Sequence, residues 1–211
     1  MKYIFSNIAG LLLLFFSSAR AEKPNVILIM TDDQGYGDLG CHGNPILKTP
    51  NLDKLHSESV RFTDFHVSPF CTPTRAALMT GNHPGVTGAY RTSAGRTMLH
   101  PSEKTLAHLF AENGDKTGMT GKWHLGDNAP HRPQDRGFQD AVWHRCGGVG
   151  QASDHWGNDY FDDTYWHNGE LETYQGYCTD VFFGNTDLAT RATNNNPDES
   201  RTGHNIFCYT Q

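Results

Sequence analysis

Asn25-Val26-Ile27-Leu28-Ile29-Met30 runs straight into Thr31-Asp32-Asp33-Gln34-Gly35. A short, unbroken apolar run that stops at an acidic, glycine-ended turn reads as a strand buried on both faces. Such strands belong to parallel sheets, and in α/β sheets ligands gather beyond the carboxyl ends of the strands. Asp32 and Asp33 follow the strand directly, so they stand where a ligand would. Adjacent carboxylates suit a hard cation such as Ca²⁺ or Mg²⁺. Taken by themselves they read as an ordinary turn ahead of Gly35, since Asp-rich turns are common.

Outward from this strand the chain alternates elements. Thr49 and Pro50 are placed as N-cap and first position of a helix reaching about Glu58. Val60 to Val67 alternates at Val60, Phe62 and Phe65 and reads as a strand. A helix starts at Cys71 and stops at Gly81. Another covers about Lys104 to Asn113, with Leu106, Leu109 and Phe110 on one face and Gly114 after its end. Lys116 to Trp123 reads as a strand. Leu125 to Tyr177 is rich in Gly, Asp and aromatics and reads as loops, with Thr179 capping a helix from Asp180. Thr190 to Asn205 reads as a polar loop. Ile206 to Tyr209 begins a last strand, expected to lie at an unprotected edge. The alternation predicts an α/β fold with a mainly parallel sheet flanked by helices.

The 211 residues suffice for one domain with a real core. Lys2, the apolar stretch Ile8 to Phe16 and Ala19-Arg20-Ala21 form the three parts of a signal peptide over residues 1–21. Its apolar part is far shorter than the roughly 20 residues that span a bilayer. The expectation is an exported protein, periplasmic or secreted, with no stable membrane insertion. Loss of Lys2 and Arg20 takes the net charge from −6 to −8. An acidic chain without a basic patch argues against nucleic acid as a partner. Five cysteines are present. With Cys71 set aside, Cys41, Cys146, Cys178 and Cys208 either pair in one of three ways or stay as thiols.

Two further stretches carry chemistry. Cys71-Thr72-Pro73-Thr74-Arg75 opens an apolar helical run. Residues four apart share a helix face, so Cys71 and Arg75 can act together. Pro73 suits a first turn, and free first-turn N–H groups favour an anion above Cys71. Gly121-Lys122-Trp123-His124-Leu125-Gly126 closes a strand. If the strand runs on, Lys122 and His124 face one side and Trp123 the other. A lysine neutralises an anion there, and a histidine moves a proton. Trp156, Tyr160, Phe161, Tyr165 and Trp166 form either a wall for an aryl group or sugar, or loop packing. Asp159, Asp162 and Asp163 read as loop-capping groups rather than a second cation site.

In this order, NVILIMTDDQG, CTPTRAALMTG and GKWHLG resemble the type I, formylglycine-dependent sulfatases from about Lys23 to about Phe183. WGNDYFDDTY and GYCTDVFF are similar to bacterial arylsulfatases. The resemblance implies an alkaline-phosphatase-like fold and hydrolysis of sulfuric esters, aryl or carbohydrate sulfates. It implies that a maturation enzyme converts Cys71 to formylglycine, and that Asp32, Asp33 and residue 71 hold Ca²⁺, with Mg²⁺ the lesser choice. Hydrated formylglycine attacks sulfur through one hydroxyl, and the second hydroxyl then releases sulfate. Arg75, Lys122 and His124 are the implied catalytic partners. The family is longer than this chain and uses a later histidine, lysine and Asp–Asn pair. Residues 22–211 are therefore expected to be the N-terminal part of a sulfatase catalytic domain, truncated and nearly inactive alone. The alternatives are a phosphate or phosphonate ester hydrolase of the same superfamily, or a non-catalytic anion-binding remnant.

Overall fold

The computed structural model describes residues 24–92, 98–185 and 205–210, the last of these by backbone alone. The proposed signal peptide and the loop read over 190–204 lie outside the described residues. The described strands are β1 (Val26–Met30), β2 (Lys116–Lys122), β3 (Asp140–His144), β4 (Thr164–His167), β5 (Glu170–Thr173) and β6 (Asn205–Thr210). The helices are α1 (Pro50–Glu58), α2 (Cys71–Thr80), α3 (Leu106–Glu112) and α4 (residues 178–185).

The strands form one sheet in the order β1-β6-β2-β3-β4-β5. β1, β6, β2 and β3 are parallel, and β4 and β5 add an antiparallel hairpin. β6 therefore lies between β1 and β2, not at an edge. Among the described strands the edges are β1 and β5. Ile27 and Ile29 are exposed while Val26, Leu28 and Met30 are half-buried, so β1 is covered on one face rather than two.

The core follows the sheet's alternation. Ala141 and Trp143 of β3 pack with Ala76 and Met79 of α2, Ala107 of α3, and Leu99, Met119, Trp123, Leu125 and Phe138. Val142, between them, joins Val149, Tyr165, Cys178, Val181 and Phe182 in a second cluster. Trp123 meets Phe138 edge to face at 5.9 Å and donates Nε1–H to the His131 carbonyl.

Further sequence readings change. Val60 to Val67 forms no strand, and Val60, Phe62, Phe65 and Val67 are all exposed. A strand needs a neighbour for its N–H and C=O groups, and no described segment pairs with this one. The region 125–177 contains β3, β4 and β5 rather than loops alone. α4 begins at Cys178, two residues before Asp180. Thr49 does precede α1, but its hydroxyl accepts from Gly40 N–H and donates to Asp53 instead of capping the helix.

Candidate functional site

β1 and β2 deliver their carboxyl ends to the same side because both run parallel with β6 between them. α2 starts beside them. Phe70, its N-cap, is extended and makes no side-chain cap, so first-turn N–H groups stay available for an anion. A cavity of about 390 Å³ lies there, lined by Asp32, Asp33, Cys71, Lys122, His124 and His144 among others.

Arg75 is not among the lining residues. It is buried beneath the cavity, where Nη1 donates to the Lys122 carbonyl at 2.6 Å and Nη2 faces Asp32 Oδ1 at 3.5 Å. The Lys122 ammonium pairs with the other oxygen, Asp32 Oδ2. One carboxylate thus faces two buried cations. Asp32 and Asp33 balance Arg75 and Lys122, so the site offers carboxylate oxygens for a cation beside an ammonium for an anion.

Lys122 and His124 reach the cavity by a route the sequence does not suggest. β2 ends at Lys122, and His124 has left the strand with φ 56°. A non-glycine residue with positive φ is uncommon and concentrates at functional positions. Trp123 between them is buried in the core, as expected.

His124 hydrogen-bonds the Cys71 thiol, and Thr92 Oγ1 lies 3.3 Å from Cys71 Sγ. Burial opposes ionisation of this thiol. The His124 and Thr92 hydrogen bonds and the charges of Lys122 and His124 outweigh it, lowering the pKa to about 6. Residue 71 is therefore a site where negative charge is stabilised.

His144 was not read from the sequence. It ends β3 opposite Lys122 in the ladder, lines the cavity, and bonds the Arg145 carbonyl through Nδ1. Burial lowers its pKa, and Lys122 and Arg75 add to that against Asp154. Identification of β3 would have put it at a strand's carboxyl end.

The aromatic group divides. Tyr165 is fully buried, and Trp166 is half-buried with Arg145 stacked 3.9 Å above its ring. Trp156 and Phe161 are exposed, and Tyr160 lines the cavity. The acidic loop is capping, as read. Asp163 accepts from Asp159 N–H, Tyr160 N–H and the Tyr165 hydroxyl, and Asp162 accepts from Gly176 N–H. Cys41, Cys71, Cys146 and Cys178 are free thiols, and the Cys208 side chain is outside the description.

A mainly parallel α/β sheet thus brings together, at its strand ends, a helix N-terminus with residue 71, paired carboxylates and buried cations. Residues 24–200 match the family model described as Sulfatase, and the chain belongs to the sulfatase family. It is 50% identical to human arylsulfatase A over 120 residues, which are 55% of this chain and 24% of that protein. The fold superposes on Ps i-CgsB in complex with k-i-k-neocarrahexaose with a TM-score of 0.76, at 29% identity, over 89% of this chain and 45% of that one. BT4656 in complex with its substrate D-glucosamine-2-N,6-O-disulfate gives 0.68 at 26% identity, over 89% and 34%. The chain thus spans about a quarter of the curated relative's length and less than half of the solved chains.

Proposed function

We propose that this chain carries the nucleophile and anion-binding part of a sulfuric ester hydrolase site of the arylsulfatase kind. The observation that carries the reading is the meeting of Cys71, Asp32, Asp33, Lys122 and His124 around one cavity at the N-terminus of α2. The oxygen donors Asp32 and Asp33, next to a strongly polarised residue 71, fit a hard divalent cation, Ca²⁺ before Mg²⁺. Formylglycine at position 71 would supply a hydrated aldehyde oxygen as nucleophile, and the cation would polarise the sulfate group.

This chain's own residues then have separable tasks. Arg75 fixes Asp32 and the Lys122 backbone from below. Lys122 offers the ammonium that offsets sulfate charge. His124, within hydrogen-bonding reach of residue 71, moves its proton. Tyr160 supplies an aromatic edge for an aryl or sugar leaving group. The disulfated sugar bound by BT4656 supports a carbohydrate sulfate as one substrate class. We further infer export through residues 1–21, with 22–211 as the catalytic part, and maturation of Cys71 by a formylglycine-generating enzyme. No described helix is long and apolar enough to cross a membrane.

Mass spectrometry of the Cys71 peptide from a host with the maturation system tests the reading. Conversion of the thiol to an aldehyde is expected, followed by Ca²⁺-dependent release of sulfate from a chromogenic aryl sulfate when the chain is joined to the family's remaining half. A thiol left intact throughout would refute it.

A further inference from the structure

We propose a second metal site, formed by Cys41, His42 and His56 and suited to a borderline-soft divalent ion of the Zn²⁺ type. None of the three lines the catalytic cavity. One ligand atom from each lies within 4.8 Å of the other two. Bonds of about 2.0–2.3 Å in a tetrahedron need ligand atoms about 3.3–3.8 Å apart. Closure on an ion therefore takes roughly one ångström of side-chain movement.

The ligands are already oriented. His42 Nδ1 lies 2.7 Å from the Tyr36 carbonyl oxygen. That oxygen only accepts, so Nδ1 carries the proton and Nε2 presents its lone pair, the arrangement that ligating histidines use. The Tyr36 ring stacks on His42 at 4.2 Å and holds the imidazole plane. His56 stands edge-on to His42 at 5.8 Å, and its Nε2 is buried without a hydrogen-bond partner among the described residues. An orphaned buried nitrogen beside a thiol and a second imidazole is costly unless something coordinates it.

The backbone around Cys41 is clamped by the same helix that carries His56. Asp53 Oδ1 accepts from Cys41 N–H at 2.7 Å and from the Thr49 hydroxyl at 2.7 Å. Asp53 and His56 are three apart, on one face of α1. Gly40 leaves room for this, since a Cβ there would sit 2.6 Å from Asp53 Oδ2.

One thiolate and two imidazoles select Zn²⁺-like ions over Ca²⁺ or Mg²⁺, so this site differs in kind from the Asp32–Asp33 pair. Binding replaces the Cys41 thiol hydrogen, now shared with Asp53, and the proton leaves to solvent. Three protein ligands leave a fourth position for water. The consequence is structural. α1 has no buried residue of its own, and the ion fastens it to the 36–43 turn where apolar packing does not.

Co²⁺ is the probe, in a Cys71→Ser background that removes the thiol near the catalytic carboxylates. A thiolate-to-cobalt charge-transfer band with one ion per chain is expected, displaced by Zn²⁺. Cys41→Ser should abolish the band. His56→Gln should weaken binding at least about 100-fold, because even outer partners of a metal carry roughly 10–100-fold in affinity. A band that survives Cys41→Ser, or no band at all, overturns the site. The unsubstituted chain gives a second arm that needs no variant to fold. Saturating Zn²⁺ should protect Cys41 from alkylation, read by mass spectrometry, and equal labelling with and without Zn²⁺ overturns the proposal.

Discussion

Gly147→Ala is a small change that reaches the centre of the site. Gly147 has no positive φ, so its backbone accepts alanine. The obstacle is space. A Cβ there would stand 2.7 Å from His124 Cε1 and 3.0 Å from Nε2, against an ordinary contact of 3.4–4 Å. The imidazole must move by about 0.7 Å, the gap between a 2.7 Å contact and ordinary van der Waals distance. His124 Nδ1 has no hydrogen-bond partner among the described residues, which leaves Nε2 as the nitrogen for Cys71. The added methyl presses on that nitrogen's own edge of the ring.

A hydrogen bond to a charged group is worth about 1.5–3 kcal/mol. Cys71 is half-buried and keeps its Thr92 contact, so the lower figure applies. At roughly 1.4 kcal/mol per pKa unit, losing it raises the Cys71 pKa by about one unit, from about 6. The assay is alkylation of the unconverted thiol by iodoacetamide as a function of pH, in a host without the maturation system. At pH 6 the variant should react about fivefold more slowly, since a one-unit rise cuts the thiolate fraction from about half to about a tenth. The two rates should converge above pH 8. An unchanged midpoint in a variant with normal far-ultraviolet circular dichroism would show that His124 does not set the charge at residue 71.

Two other perturbations test the supports of the site and sheet. Arg75→Met leaves the Lys122 carbonyl and one oxygen of Asp32 without their donor. Breaking a buried pair costs about 3–5 kcal/mol, but Asp32 is partly solvated and keeps Lys122. A loss of about 2–3 kcal/mol is expected in urea unfolding, only partly restored by Arg75→Lys, which lacks the planar fork. His167 lies between Asp140 of β3 and Glu172 of β5. Burial lowers its pKa, but hydrogen bonds to Glu172 and Asp140 prevail and the net shift is upward. A raised folded pKa stabilises fully below the unfolded value near 6.5 and loses that contribution as pH rises through the folded value. His167→Gln should therefore cost about 0.5–1.5 kcal/mol at pH 5.5 and little at pH 8.5. Equal losses at both pH values would remove the ionic account of this contact.

What was legible in the chain depended on how local each signal is. The Val26–Met30 run, the Cys71 helix ending at Gly81 and the Lys116–Lys122 strand are written in short patterns, and each forms where those patterns put it. Gly81 has φ 71°, the left-handed end a helix stop of that kind requires. Asn168-Gly169 is an equally local signal. With φ 51° and 105° it makes the two-residue turn that joins β4 to β5. The flanking aromatics and acids hid the alternation, and with it β3 and His144.

Strand order is a different kind of information. Nothing in Ile206 to Tyr209 says that it pairs with both Val26–Met30 and Lys116–Gly121. That choice is made by contacts about 90 and 180 residues away along the chain, whose closure entropy grows only slowly with distance. Val60 to Val67 makes the converse point. Its alternation is a property of the residues, whereas a strand is a property of two segments. The candidate site residues escape this limit because a parallel sheet collects strand ends whatever the order of its strands. Asp32 and Lys122 meet across β6 without either sequence motif encoding the strand between them. His124 shows that even the local route can be misread while the destination holds, since its side chain reaches residue 71 through a left-handed backbone rather than along an extended one.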